Sequence, residues 1–195
     1  MPSMKRRLAV LTAVLAMSMT GGAVASPAFA DPRETEKTPT ATGYGGAVST
    51  VDPEASAAAL RILRDGGNAA DAAVAAAATL GVTEPYSAGI GGGGYFVFYN
   101  ARNGKVGTID GRETAPEAMP NDAFIDPGTG RPYPFTPELV TSGVSVGVPG
   151  TPATWARALD RWGTLDLKDA LEPAIDVATR GFVVDETFRQ QTLDN

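Results

Sequence analysis

Residues 66–75 read Gly-Gly-Asn-Ala-Ala-Asp-Ala-Ala-Val-Ala, the junction of two helices. Gly66-Gly67 ends one helix. Asn68 caps the next, with Asp71 at its third position. That second helix, about Ala69 to Leu80, is nearly all Ala, Val and Leu. Its small side chains allow close approach on every side, so it is expected to be buried.

Upstream, Asp52-Pro53-Glu54 opens the first helix: an N-cap, a proline in the first turn and an acid beside the positive helix end. Ala55, Ala58, Ala59, Ile62 and Leu63 recur at helical spacing. Downstream, the glycine-rich turn Gly89–Gly94 precedes Tyr95-Phe96-Val97-Phe98-Tyr99, an aromatic and β-branched strand. Asn103-Gly104 signals a hairpin, with the return strand over Lys105 to Asp110. Thr114 to Thr141 holds six prolines and reads as a long loop. Val144 to Val148 is expected to be a buried strand. Trp155, Leu159 and Trp162 mark one helix face. Leu167, Ala170, Leu171, Ala174, Ile175 and Ala178 mark another, which Pro173 should kink and Gly181 should close. The polar end, up to Asn195, resolves into no element.

Composition removes whole classes of chemistry. The 195 residues contain no Cys and no His, which excludes disulfide scaffolds, thiolate nucleophiles, histidine bases and His-bearing zinc sites. No cofactor or metal is expected. Cations number 16 against 22 acids, a net charge of −6. Residues 1–30 hold Lys5, Arg6 and Arg7 and no acid, so the remainder is more acidic still. Such a chain has no overall basic footprint for nucleic acid.

The first thirty residues read as an address. A positive Met-Lys-Arg-Arg at 4–7, an apolar run from Leu8 to Met19 and Ala28-Phe29-Ala30 follow the order of a secretory signal. The apolar run is well short of the ~20 residues that span a bilayer core, so stable membrane insertion is not expected. Cleavage is placed between Ala30 and Asp31, a flexible polar leader over 31–42, and the mature protein outside the cytoplasm.

The residues alone single out little chemistry. The glycine run at 91–94 comes before a strand and lacks a following Lys, the reverse of a phosphate loop, so tight packing or positive φ is the preferred reading. Arg112, in Asp110-Gly111-Arg112-Glu113-Thr114, could grip a carboxylate or phosphate; paired with Glu113 it could equally be a surface arginine. Asp110 with Glu113 is a weak candidate for a glycosidase acid pair. Asp122, Asp126 and Glu138 lack calcium-loop spacing.

Taken in order, the blocks are more specific. Residues 66–75, Gly81-Val82-Thr83-Glu84-Pro85, Gly89 to Gly94 and Asp110-Gly111-Arg112-Glu113-Thr114-Ala115-Pro116 come first. Val146-Gly147-Val148-Pro149-Gly150, Trp162-Gly163-Thr164-Leu165 and Pro173-Ala174-Ile175 complete the series. The ordered set resembles the γ-glutamyltransferase family, also called glutathione hydrolases, from about Gly43 onward.

The resemblance implies an α/β (α+β) fold, part of the αββα sandwich of N-terminal-nucleophile hydrolases and incomplete in this chain. Residues 43–195 would be the N-terminal part of a large subunit cut from a precursor. The partner would be the small subunit of the same precursor, whose exposed N-terminal threonine is the nucleophile and lies outside this chain; no catalytic residue is expected within it. The substrate would be glutathione or another γ-glutamyl compound, with the acyl group passed to water or an amino acid. Arg112 would bind the α-carboxylate of that substrate, and Glu113 would support the loop. Other readings on the same fold are a cephalosporin or glutaryl acylase, a poly-γ-glutamate depolymerase, or a non-catalytic glutamate-binding relative.

Exported protein is expected to begin near Asp31, as N-terminal sequencing or intact mass would show. Recovery of the exported chain with residues 4–19 attached would contradict the signal reading.

Overall fold

The computed structural model describes residues 39–194. The expected signal over 1–30, its cleavage at Ala30–Asp31 and the leader as far as residue 38 lie outside the described residues. Residues 39–42 carry no regular structure and are exposed.

Capping fixes the first two helices where the sequence places them. Asp52 accepts a hydrogen bond from the Ala55 amide at 3.0 Å and starts α1 (Pro53–Arg64). Asn68 accepts from the Ala70 and Asp71 amides, and Asp71 accepts from the Asn68 amide at 2.8 Å, a complete capping box at the start of α2 (Ala69–Thr83). The helix runs past Leu80 to Thr83, and buried Thr79 donates its hydroxyl to the Ala75 carbonyl at 2.8 Å. That local bond spares a buried hydroxyl the cost of lacking a partner.

Burial of α2 follows its composition. Ala72, Ala75 and Ala76 pack against Ala59 and Ile62 of α1. Val74 and Ala78 pack against Trp155 and Leu159 of α4 (Thr151–Trp162) and against Ala170 and Ala174 of α5 (Leu167–Arg180). A short turn, α3 (Pro85–Ala88), follows α2. Helix α5 continues through buried Pro173 and ends at Gly181, whose φ is +76°.

The Asp71 carboxylate does more than cap. It is fully buried and also accepts from the Thr164 amide at 2.9 Å, the Thr164 hydroxyl at 2.7 Å and the Leu165 amide at 3.1 Å. Asn68 donates its side-chain amide to the Trp162 carbonyl at 2.7 Å. The start of α2 is thereby bound to the turn between α4 and α5. Burial pushes the Asp71 carboxyl up, but the hydrogen bonds from Asn68, Thr164 and Leu165 outweigh it and hold the group below the usual carboxylate range.

Strands β1 (Tyr95–Asn100) and β2 (Lys105–Asp110) form the antiparallel hairpin, Phe98 opposite Gly107 and Tyr95 opposite Asp110. Phe96 and Phe98 face inward and stack on the Trp162 indole at 5.8 and 5.0 Å between ring centroids. A Cβ at Gly107 would overlap that indole, so only glycine admits it. Tyr95, Val97, Tyr99 and Val106 are largely exposed.

Three expectations change. Val144 to Val148 is not a buried strand: Gly143–Ser145 is a single 3-10 turn and Val146 and Val148 are 77% and 84% exposed. No described strand pairs with this run, and apolar alternation alone cannot supply a partner. The long proline-rich loop contains a two-residue hairpin, β3 (Ile125–Asp126) with β4 (Arg131–Pro132), and one wide turn at Phe135–Leu139. The polar end forms a helix, α6 (Glu186–Asp194), with Asp185 accepting from the Phe188 amide at 2.8 Å. Among the described residues no helix is long and apolar enough to cross a membrane.

Replacing Asp71 with Asn removes the charge from several donors and should cost about 1–3 kcal/mol at neutral pH, read by denaturant unfolding. The folded pKa of Asp71 lies below its unfolded value, so its contribution is complete above the ordinary carboxylate range. It is lost as pH falls through the lowered folded pKa, and the gap between wild type and Asp71→Asn should close in acid. Equal unfolding midpoints at neutral pH would show that the buried carboxylate is not stabilising.

Candidate functional site

The hairpin ends where three glycine-bearing segments meet. The Gly92 carbonyl accepts from the Gly150 amide at 3.0 Å, the Thr151 amide at 3.2 Å and the Thr151 hydroxyl at 2.9 Å. Two amides at the start of α4, which lack a partner within the helix, are satisfied in this way. The Gly111 amide donates to the Gly94 carbonyl at 2.9 Å. Side chains are excluded here by contact rather than by dihedral angle. A Cβ on Gly93 or Gly150 would overlap the Gly111 carbonyl, and one on Gly111 would overlap the Thr154 hydroxyl. No glycine in 89–94 has positive φ, and within the 91–94 run a Cβ would be crowded at Gly93 alone, so tight packing accounts for that position and neither reading accounts for Gly91, Gly92 or Gly94. Its carbonyls face other backbone amides, which is not the arrangement of a phosphate loop.

The junction presents Arg112 and Glu113. Asp110 accepts from the Arg112 amide at 3.0 Å, which turns the chain out of β2. The Glu113 side chain lies against Gly93 and Gly147, where a Cβ on either would crowd it. It is 21% exposed and meets the Arg112 guanidinium at 3.1 Å, while Arg112 itself is 53% exposed. Glu113 thus fills the gap between two glycines and pairs with a guanidinium that has further donors to offer. Asp110 accepts from the Arg112 amide and Glu113 pairs with the Arg112 guanidinium, so both members of the candidate acid pair hold Arg112.

Two hollows flank Arg112. One, of about 560 Å³, lies between α2 and the glycine segment, with Ala77, Leu80, Phe96 and Trp155 on its apolar side and Arg112 and Glu113 on its polar side. The other, of about 440 Å³, runs between β2 and α4 and is lined by Arg112, Arg157 and Arg161 with Asp110. The latter two arginines escaped the sequence reading. Their signal was present as an i, i+4 pair on a helix whose opposite face carries Trp155 and Leu159. Among the described residues no cluster of His, Cys, Asp and Glu could hold a metal ion.

Comparison with known proteins places this geometry. A family model described as Gamma-glutamyltranspeptidase matches residues 55–195. Over 189 residues the chain is 40% identical to a glutathione hydrolase proenzyme of Bacillus subtilis, covering 94% of this chain and 32% of that protein. It is 42% identical over 163 residues to the acylase ACY 1 proenzyme of a Pseudomonas species, covering 82% and 29%. A solved gamma-glutamyltranspeptidase from Pseudomonas nitroreducens, complexed with L-DON, superposes with a TM-score of 0.69 at 38% identity, covering 78% of this chain and 44% of that one. The chain therefore spans about a third of the length of the curated relatives it matches.

The glycine junction makes its own prediction. Gly150→Ala drives a methyl group into the Gly111 carbonyl, and backbone cannot step aside as a flexible side chain would. The cost should be about 1–3 kcal/mol in denaturant unfolding. An unchanged midpoint would mean that the junction is loose.

Proposed function

The chain belongs to the gamma-glutamyltranspeptidase family, and on that premise we propose that it is the front part of a secreted enzyme that cleaves γ-glutamyl amides and transfers the acyl group. Its helices and hairpin are part of the mixed helix-and-strand sandwich of the N-terminal-nucleophile hydrolases. Family members are hydrolases and transferases of the gamma-glutamyltranspeptidase type. The finer reading concerns donor, nucleophile and place of action.

The donor is glutathione or another γ-glutamyl compound, met outside the cytoplasm. The nucleophile is a threonine made N-terminal by self-cleavage, on a small subunit beyond these 195 residues. Its hydroxyl attacks the γ-carbonyl while its own α-amine takes the proton, and the leaving amine departs protonated. Water or an amino acid then takes the γ-glutamyl group from the threonine ester. In this division of labour the described residues bind and orient. Arg112 holds the donor's α-carboxylate in plane through two parallel hydrogen bonds, which sets the amide carbonyl at a fixed distance for attack. The observation that carries this role is the partly exposed Arg112 side chain in the lining of the 560 Å³ hollow, paired with Glu113.

A second reading, an acylase on the same fold, is favoured by the likeness to acylase ACY 1. Release of p-nitroaniline from γ-glutamyl-p-nitroanilide by the complete, processed protein supports the first reading. Turnover confined to cephalosporin side chains would replace it with the second. The isolated 195 residues are expected to release none.

In the complete protein, Arg112→Ala should lower kcat/KM for a γ-glutamyl donor by about one to two orders of magnitude, the equivalent of roughly 1.5–3 kcal/mol for a charge-assisted hydrogen bond. The loss should fall mainly on KM if the contact is equal in ground and transition states. Arg112→Lys keeps a charge without the fork and should restore only part. Wild-type kcat/KM in processed Arg112→Ala would return Arg112 to an ordinary surface arginine paired with Glu113.

A further inference from the structure

Arg157 and Arg161 stand outside the role just given to Arg112, and their setting is unusual for surface arginines. The chain is acidic overall, yet three guanidinium groups line one hollow of about 440 Å³. The hollow's acid, Asp110, is turned onto the Arg112 amide. Neither Arg157 nor Arg161 has an acidic partner among the described residues. Arg161 is steadied instead by the Trp162 ring, 5.9 Å from its guanidinium carbon, and by a 3.4 Å bond to the Thr108 carbonyl. Glu113 offsets Arg112, and Asp110 also lines the hollow, so Arg157 and Arg161 are the cations there without an ion-pair partner among the described residues, and a bound anion supplies one.

We propose that Arg157 and Arg161, in the hollow that also reaches Arg112, bind a second carboxylate of the γ-glutamyl donor, carried on its leaving-group side, with Arg157 as the main contact. The proposal rests on the γ-glutamyl reading above. A γ-glutamyl group has one free carboxylate, the other being the scissile amide. If Arg112 takes the first, any further carboxylate belongs to the leaving group. A γ-linked glutamyl chain presents a row of such carboxylates. A peptide leaving group with one C-terminal carboxylate presents the same chemistry once.

The test uses the complete, self-processed protein with three donors: γ-glutamyl-p-nitroanilide, whose leaving group has no carboxylate, glutathione, with one, and tri-γ-glutamate, with several. Arg157→Gln should raise KM for the carboxylate-bearing donors about three- to tenfold relative to its effect on the nitroanilide, with kcat for all three changing alike. Arg157→Lys should recover part of that difference. Equal penalties on glutathione and tri-γ-glutamate identify a single carboxylate as the ligand; a penalty on tri-γ-glutamate alone identifies the γ-linked chain. Wild type gives an independent check without any variant: added salt should raise KM for glutathione or tri-γ-glutamate more than for the nitroanilide. The same KM change for all three donors, in the variant and in salt, overturns the proposal while leaving the γ-glutamyl reading intact. Absence of turnover of every γ-glutamyl donor by processed wild type overturns both.

Discussion

The Asp71 carboxylate ties the start of α2 to the turn between α4 and α5. It is a buried charge, and it is tolerated because donors from two distant parts of the chain converge on it. Its acceptance of the Asn68 amide starts α2, and its acceptance of the Thr164 and Leu165 amides fixes the turn after α4. With that turn fixed, Trp162 lies where Phe96 and Phe98 stack on it, and the hairpin has its inner face. The hairpin's second strand then delivers Gly111 to Gly94 and Gly150. Arg112 stands at the end of this sequence of contacts. Such indirect support limits the freedom of the backbone that carries the guanidinium.

The division between scaffold and chemistry is sharp. Helices α1, α2, α4 and α5 carry the buried alanines, valines and tryptophan, while the residues able to meet an anion sit on the hairpin exit and the outward face of α4. Close backbone packing at the glycine junction leaves room for one large side chain, and Glu113 occupies it. The same carboxylate holds the guanidinium. This pairing is compatible with a ligand that takes the free edge of Arg112, since a guanidinium offers five donors in a fixed plane.

Much of this was legible in the sequence because it is encoded locally. Asp52 and Asn68 announce their helices through caps, Asn103-Gly104 announces the hairpin, and the alanine-rich run over 69–80 announces its own burial. The pairing of Arg112 with Glu113 was legible too, as adjacent residues. What escaped is encoded at long range or faintly. Asp71 reads as a capping residue, and nothing near it points to Thr164. Val146 and Val148 are apolar and alternate, but burial needs a partner surface and the described residues provide none. Helix α6 has little apolar content, and its signal reduces to the Asp185 cap and a Phe188 ring packed edge-on against Tyr86 and Phe182. Arg157 and Arg161 look like solvated helix residues until β2 is seen beside them.

The central claim is that Arg112 is the α-carboxylate anchor of a γ-glutamyl site. A crystal structure of the complete, processed protein with bound glutamate tests it most directly. Both α-carboxylate oxygens should lie within about 2.7–2.9 Å of Arg112 guanidinium nitrogens, with Glu113 still on the other edge. Glutamate bound elsewhere, with Arg112 paired only to Glu113 and open to solvent, would contradict it.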